Sequence, residues 1–200
     1  MWNRFNKKQE PQNHANDKDL WNDRLTALES LFGKSDDVVG HAVVPFFLGV
    51  DAGGAADVVY FKSHFPGRLA VTADLIGCGN QKRNSLGNYE LAIAHRDSTE
   101  DWGANLIARL ANYTLNAVLE PGETMDIGPA VPQGSTIDAL LFFEYSSCRV
   151  RNDKCGILLC VGITQDEKAA CMAGRRKEVE NALKTKGVFP YTDMIRKSTL

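Results

Sequence analysis

Two apolar segments in the second half of this chain limit what it can fold into. Ile137–Phe143 and Gly156–Ile163 consist almost entirely of apolar residues. Continuous apolar runs of this length are typical of strands in the middle of a sheet that is covered on both faces, because every side chain then meets an apolar neighbour. The sequence therefore predicts a central sheet with helices packed on both of its sides.

Four further segments are predicted to be strands. Val58–Lys62, Arg68–Ile76 and Tyr89–His95 are rich in apolar residues, and the last two alternate between apolar and polar or small positions. Val43–Val50 is also apolar but contains Pro45, whose nitrogen has no hydrogen to donate to a neighbouring strand. Because proline is tolerated at a sheet edge or at the start of a strand, this segment is predicted to be an edge strand or to begin after Pro45.

Three helices are predicted around the sheet. The first begins after Asn16 or Asp17 and ends at Gly33, the second spans Glu100–Leu119, and the third begins after Thr164. Asn, Asp and Thr are favourable helix N-caps, and Gly commonly follows a helix C-terminus. This order of strands and helices indicates an α+β fold, with a mixed central β-sheet flanked by helices.

The length of the chain predicts a single domain. It has 200 residues, against a prior of roughly 150 residues per domain. Residues 1–16 are rich in Asn, Gln and Lys and offer few apolar side chains for a core. They are predicted to be a disordered or frayed lead-in, and residues 17–200 are predicted to form the domain.

Composition and charge argue against several classes of function. The formal net charge is −2 with cations and anions interspersed, so no basic face indicates nucleic-acid binding. The first residues lack the apolar core of a signal peptide, and no segment reaches the roughly 20 apolar residues of a membrane helix. The sequence predicts a cytoplasmic protein that binds neither nucleic acid nor membrane.

The cysteines do not form a recognisable metal or disulfide pattern. They are odd in number and irregularly spaced, at Cys78, Cys148, Cys155, Cys160 and Cys171. A zinc site usually presents closely spaced Cys pairs or a nearby histidine. Free thiols are therefore predicted, with no metal and no cofactor.

No catalytic motif is present, but two carboxylates and a histidine leave an alternative open. Asp74, Glu90 and His95 lie on neighbouring predicted strands, where they could form the cleft of an enzyme of unfamiliar type. The simpler interpretation is that both carboxylates lie on the solvated face and pair with Arg68 or Arg96. No catalytic residue is therefore predicted.

Four short motifs resemble those of the Suppressor of fused family. They are Tyr89-Glu90-Leu91, Trp102 at a helix start, Val161-Gly162-Ile163-Thr164 at a strand end, and Thr192-Asp193-Met194 followed by Arg196. The resemblance implies a mixed sheet packed by helices, in a domain of the bacterial stand-alone type. In animal members the domain, together with a second one, holds a peptide of Gli transcription factors in extended form. Many bacterial copies are thought to be immunity proteins that neutralise polymorphic toxins.

The resemblance therefore predicts a non-enzymatic protein-binding module whose partner would be a toxin. The polar, glycine-rich segment Gly77–Asn88 is predicted to be an exposed loop, and the resemblance places it beside the peptide-binding region of the animal proteins. The predicted partner-binding residues are Arg68, Asp74, Lys82, Arg83, Asp193 and Arg196. A regulatory homo-oligomer is the other alternative, and it requires a large apolar patch on the helices of Trp21 or Trp102.

Overall fold

The computed structural model of the protein describes residues 14–200, and for residues 14–18 and 50 it describes the main chain only. Most of the predicted lead-in, residues 1–16, therefore lies outside the described residues. The first helix begins at His14, slightly before the predicted start. The single-domain organisation stays a prediction.

Seven strands in the described part of the chain form one mixed sheet, in the order β1-β2-β3-β4-β7-β6-β5. Only the β4–β7 pair is parallel, and the other pairs are antiparallel. The predicted α+β fold with a mixed central sheet is confirmed. The strands are β1 Val39–Gly40, β2 Val58–Phe61, β3 Arg68–Thr72, β4 Asn88–His95, β5 Thr124–Asp126, β6 Ala139–Val150 and β7 Asp153–Ile163.

Helices cover both faces of this sheet. Helices α1 (His14–Phe32), α3 (Gln165–Ala170) and α4 (Arg176–Thr185) pack on one face, and α2 (Trp102–Tyr113) packs on the other. The side chains of β6 and β7 alternate between the two cores and are almost all buried, apart from the outer part of their hairpin. The prediction of central strands covered on both faces is thus confirmed.

The predicted edge strand Val43–Val50 is wrong. Phe46–Leu48 and Val50–Ala52 form 3-10 turns instead, and the edge strand of the sheet is β1. Pro45 contributes to this outcome, because it has no N–H for a ladder and its carbonyl accepts a turn hydrogen bond from the N–H of Leu48 at 3.1 Å.

One predicted helix is shorter than its sequence pattern indicates, and another is interrupted. Helix α2 ends at Tyr113 rather than Leu119, because the Thr114 hydroxyl bonds back to the Ala111 carbonyl at 2.7 Å and turns follow. The C-terminal helix is interrupted between α3 and α4 by a π-helical turn at Cys171–Arg175, in which Gly174 has φ +80°. The side chain of Met172 is exposed on this turn.

Trp102 holds the start of α2 against the sheet. Its indole Nε1 donates to the carbonyl of Ala130 at 2.7 Å, and its ring packs edge-on against His95. We expect Trp102→Ala to lower the free energy of unfolding by about 3 kcal/mol, at the low end for aromatic truncations because the ring is half-buried. Urea denaturation measures this, with Trp102→Phe as the control that keeps most of the packing. An unchanged thermal midpoint in the alanine variant contradicts this placement.

Candidate functional site

Strand β5 pairs with β6 and leaves its other edge open. Thr124 is opposite Leu141, and the Glu123 carbonyl accepts a hydrogen bond from the N–H of Phe142 at 3.0 Å. Because alternate residues of an antiparallel strand face the partner strand, the N–H and C=O groups of Thr124 and Asp126 point away from β6. No hydrogen bond from another described residue reaches these main-chain groups. They are available to an extended segment of another molecule.

A groove of about 500 Å³ lies beside this open edge. Its walls come from the end of α2 and the segment after it, from β5 and β6, and from the π-helical turn. The large apolar residues that line it are Tyr113, Val118, Leu119, Met125, Phe142 and Met172. Three of them remain exposed at 47%, 41% and 75%, namely Tyr113, Val118 and Met172. An open strand edge beside exposed apolar side chains is suited to binding a polypeptide.

The side chains of β5 alternate between two faces of this groove. Thr124 is opposite Leu141, which belongs to the core beneath α3 and α4. Met125 is opposite Leu140 and packs in the core beneath α2. By this alternation, Asp126 lies on the α3 side with Thr124, and it pairs there with Lys168 of α3.

The predicted Gly77–Asn88 loop lies next to this groove, but it is not fully exposed. Gln81 is buried, and the main chain of Tyr89 satisfies its side chain. The Gln81 amide accepts from the N–H of Tyr89 at 3.1 Å and donates to the Tyr89 carbonyl at 2.8 Å. Lys82 donates its N–H to the Thr114 carbonyl, which fixes the loop to the segment that lines the groove. The side chains of Lys82 and Arg83 are exposed beside it.

The other predicted partner-binding residues do not form one surface. Arg68 lies over the Tyr60 ring and pairs with Asp101 at the end of the sheet where Asp193 is exposed. Asp74 lies near the opposite end of β3, where it is 3.6 Å from Arg24.

Arg196 is engaged inside the fold. Its two Nη atoms donate to the two carboxylate oxygens of Glu167 at 2.7 and 2.5 Å. The Arg196 side chain is 6% exposed, and that of Glu167 is fully buried. Burial by itself raises the pKa of Glu167, but Arg196 and the N–H groups of Thr164 and Thr199 together lower this pKa to about 2. The pair closes the C-terminal segment onto α3.

The alternative catalytic cleft is not assembled. Glu90 lies on the α1 side of β4 and His95 on the α2 side, so the sheet separates them. The simpler interpretation is also wrong, because Glu90 is fully buried rather than solvated and, among the described residues, pairs with neither Arg68 nor Arg96. Its carboxylate accepts from the N–H groups of Leu75 and Ile76 and from the Thr72 hydroxyl at 2.6–2.9 Å.

The burial of Glu90 makes the stability of the fold depend on pH. It raises the pKa of Glu90 to about 7, despite the opposing effect of the nearby Arg24 and these hydrogen bonds. A carboxyl with a raised folded-state pKa stabilises the fold below its unfolded pKa and loses that contribution as the pH rises through the folded value. We therefore expect Glu90 to contribute up to about 3 kcal/mol to the free energy of unfolding at low pH, and this contribution to disappear between about pH 4.5 and 7. Urea titrations across this range should show the loss, and Glu90→Gln should not show it.

All five cysteines are free thiols. Within residues 14–200, no cluster of His, Cys, Asp and Glu has the arrangement of a metal site. No helix in that range combines the length and apolar character needed to cross a bilayer.

The exposed apolar surface includes the end of the Trp102 helix but neither tryptophan itself. Trp21 and Trp102 are half-buried against the two cores. Besides those of the groove, the exposed large apolar side chains among the described residues lie near the β1 edge and in the C-terminal segment: Val38, Val43, Phe47, Leu48, Ile195 and Leu200. The homo-oligomer alternative stays a prediction, because Tyr113 at the end of the Trp102 helix belongs to the exposed apolar surface of the groove.

Comparison with known families matches residues 76–197 to the family described as Suppressor of fused protein (SUFU). No curated protein sequence matches the chain. The chain is similar in structure to a suppressor of fused homolog from Neisseria gonorrhoeae FA 1090, with 18% identity, a TM-score of 0.64, and coverage of 92% of this chain and 98% of that one.

Two further solved structures share the fold. A Sufu–Fu complex matches with 13% identity and a TM-score of 0.67, covering 91% of each chain. Drosophila Suppressor of Fused matches with 14% identity and a TM-score of 0.55, covering 76% of this chain and 45% of that one. The TM-scores show that the fold is shared, and the family match, which spans more than half of the sequence, confirms the resemblance carried by the four motifs. The chain belongs to the Suppressor of fused protein family.

Proposed function

We propose that this protein is a non-enzymatic protein-binding module that receives an extended segment of its partner at the open edge of β5. The observation that carries the proposal is the pair of outward main-chain groups at Thr124 and Asp126, which lie in a groove with exposed apolar side chains. A strand added to a sheet edge gains ladder hydrogen bonds, and its alternate side chains contact the surface beside that edge.

The family supports a binding role over a catalytic one. Suppressor of fused domains are protein-interaction domains, and one related solved structure is a Sufu–Fu complex. The separation of Glu90 from His95 by the sheet removes the arrangement on which the enzyme alternative depended.

We propose that the partner is a toxin and that the protein is its immunity protein in the cytoplasm. The support is the resemblance to bacterial stand-alone copies of the domain, and the groove offers a site at which a toxin segment can be held. The test is co-expression with the protein encoded by the adjacent gene. We expect a stable 1:1 complex by size-exclusion chromatography with light scattering, and protection of growth. A complex without protection favours a regulatory partner, whereas the absence of any complex excludes this pair.

Lys82 and Arg83 form the rim of the proposed surface. They are exposed on the loop that is bonded to the Thr114–Glu120 segment, which lines the groove. A rim charge mainly changes the association rate, because it steers the encounter without being desolvated. They therefore contribute less to affinity than the strand edge.

A further inference from the structure

Arg176 places a partly exposed cation at the Gly122 end of the groove, and it pairs with Glu180 through Nε alone. Its Nε is 3.1 Å from Glu180 Oε1, and its side chain is 44% exposed. Gly122 has φ +88°, and a Cβ added there would overlap Nη1 of Arg176. The guanidinium therefore lies directly against the main chain that leads into β5. Among the described residues, neither Nη1 nor Nη2 has a hydrogen-bond acceptor.

The α3 and α4 side of the groove would contact every second side chain of an added strand. A segment along β5 alternates as β5 does, so one set of its side chains faces α3 and α4. Along that face it would meet Arg176 at the Gly122 end, the exposed Met172 in the middle, and Lys168 at the Asp126 end. Lys168 is already paired with Asp126, whereas Arg176 keeps two free nitrogens.

Glu180 pairs with the Nε of Arg176, and the two carboxylates nearest to β5, Glu120 and Glu123, do not pair with its Nη atoms. Glu123 precedes Thr124 and by alternation faces the α2 side, where its Oε2 accepts from the N–H of Glu120 at 3.0 Å. Glu120 in turn accepts from the N–H and hydroxyl of Ser85 at 3.1 and 2.7 Å. These acids are used by the protein's own main chain on the opposite face from Arg176.

We infer that the partner segment bound at β5 is acidic, with a carboxylate side chain that pairs with the Nη atoms of Arg176. An apolar side chain two residues away contacts Met172. This inference rests on the proposed function, since it names the chemistry of the segment received at the open edge. A planar guanidinium with two free nitrogens matches a carboxylate through paired N–H···O bonds.

The test is selection of random linear peptides displayed on phage against the immobilised full chain, followed by fluorescence anisotropy with synthetic peptides. We expect the enriched sequences to carry Asp or Glu two residues from an apolar residue. Their dissociation constant should rise about tenfold in Arg176→Gln and further in Arg176→Glu. Lys186→Glu is the matched charge reversal, because Lys186 is exposed at the far end of α4. It should leave affinity within about twofold.

The outcomes separate this inference from the proposed function. Enriched peptides that are neutral or basic, or that bind Arg176→Glu as tightly as wild type, overturn the acidic segment while the strand-edge site stands. Peptides that bind a Thr124→Pro variant normally, or a selection that enriches no peptide, overturn both.

Discussion

Arg196→Met is expected to lower the free energy of unfolding by about 3–5 kcal/mol, because it leaves the fully buried Glu167 carboxylate without its cation. The Thr164 and Thr199 donors remain, but they do not replace the charge. For a chain of this size, the thermal midpoint should fall by about 10 °C. The wild-type protein should also lose stability as the pH falls from about 4.5 to about 2, since the folded-state pKa of Glu167 is lowered to about 2.

Arg175→Met is the matched control for this experiment. Arg175 pairs with Glu178 on the exposed surface of the same C-terminal region, with both side chains 54% exposed. Exposed pairs of this kind contribute little, so its effect should stay within about 0.5 kcal/mol. Equal urea midpoints for the two variants contradict the structural role of Arg196.

The second large effect concerns binding. Thr124→Pro removes an N–H that points away from β6, so the fold should keep its ladder and its thermal midpoint within a few degrees. A partner strand would lose the N–H of residue 124 as a donor and meet the proline ring. One carbonyl of the partner would then be buried without a hydrogen bond. This costs about 2–3 kcal/mol, or on the order of 100-fold in Kd.

Thr124→Ala separates the main-chain contribution from the side-chain contribution. It keeps the N–H and should change Kd for a confirmed partner by less than about threefold in isothermal titration calorimetry. If both variants bind equally well, the partner does not pair with β5.

Two-sided burial is the feature of this fold that is easiest to predict from sequence. The strands β6 and β7 have apolar residues at nearly every position of their inner halves, and such runs are typical of strands covered on both faces. Strand β5 escapes prediction because Thr124-Met125-Asp126 is too short for its alternation to stand out, and its pairing with β6 is decided by residues elsewhere in the chain. The groove depends on this strand, and for that reason it could not be predicted.

Buried polar residues are the hardest part of the candidate site to predict from sequence. Glu90 interrupts an apolar strand as a solvated residue would, and the N–H groups that satisfy it come from a turn at Leu75 and Ile76. The burial of Arg196 is equally hard to predict, because its carboxylate partner Glu167 belongs to a different segment of the chain. The capping box of Thr164 and Glu167 is the sequence signal that could have indicated this ion pair, since a carboxylate buried at that position requires a nearby cation.

Amide hydrogen exchange of the free protein and of its complex with a confirmed partner tests the binding site most directly. The amides of Thr124 and Asp126, which point away from β6, should exchange rapidly in the free protein and slowly in the complex. The amide of Met125 faces β6 and should be protected in both. If Thr124 and Asp126 exchange equally fast in the complex, while protection appears at the exposed Val38–Leu48 segment instead, the open edge of β5 is not where this protein binds its partner.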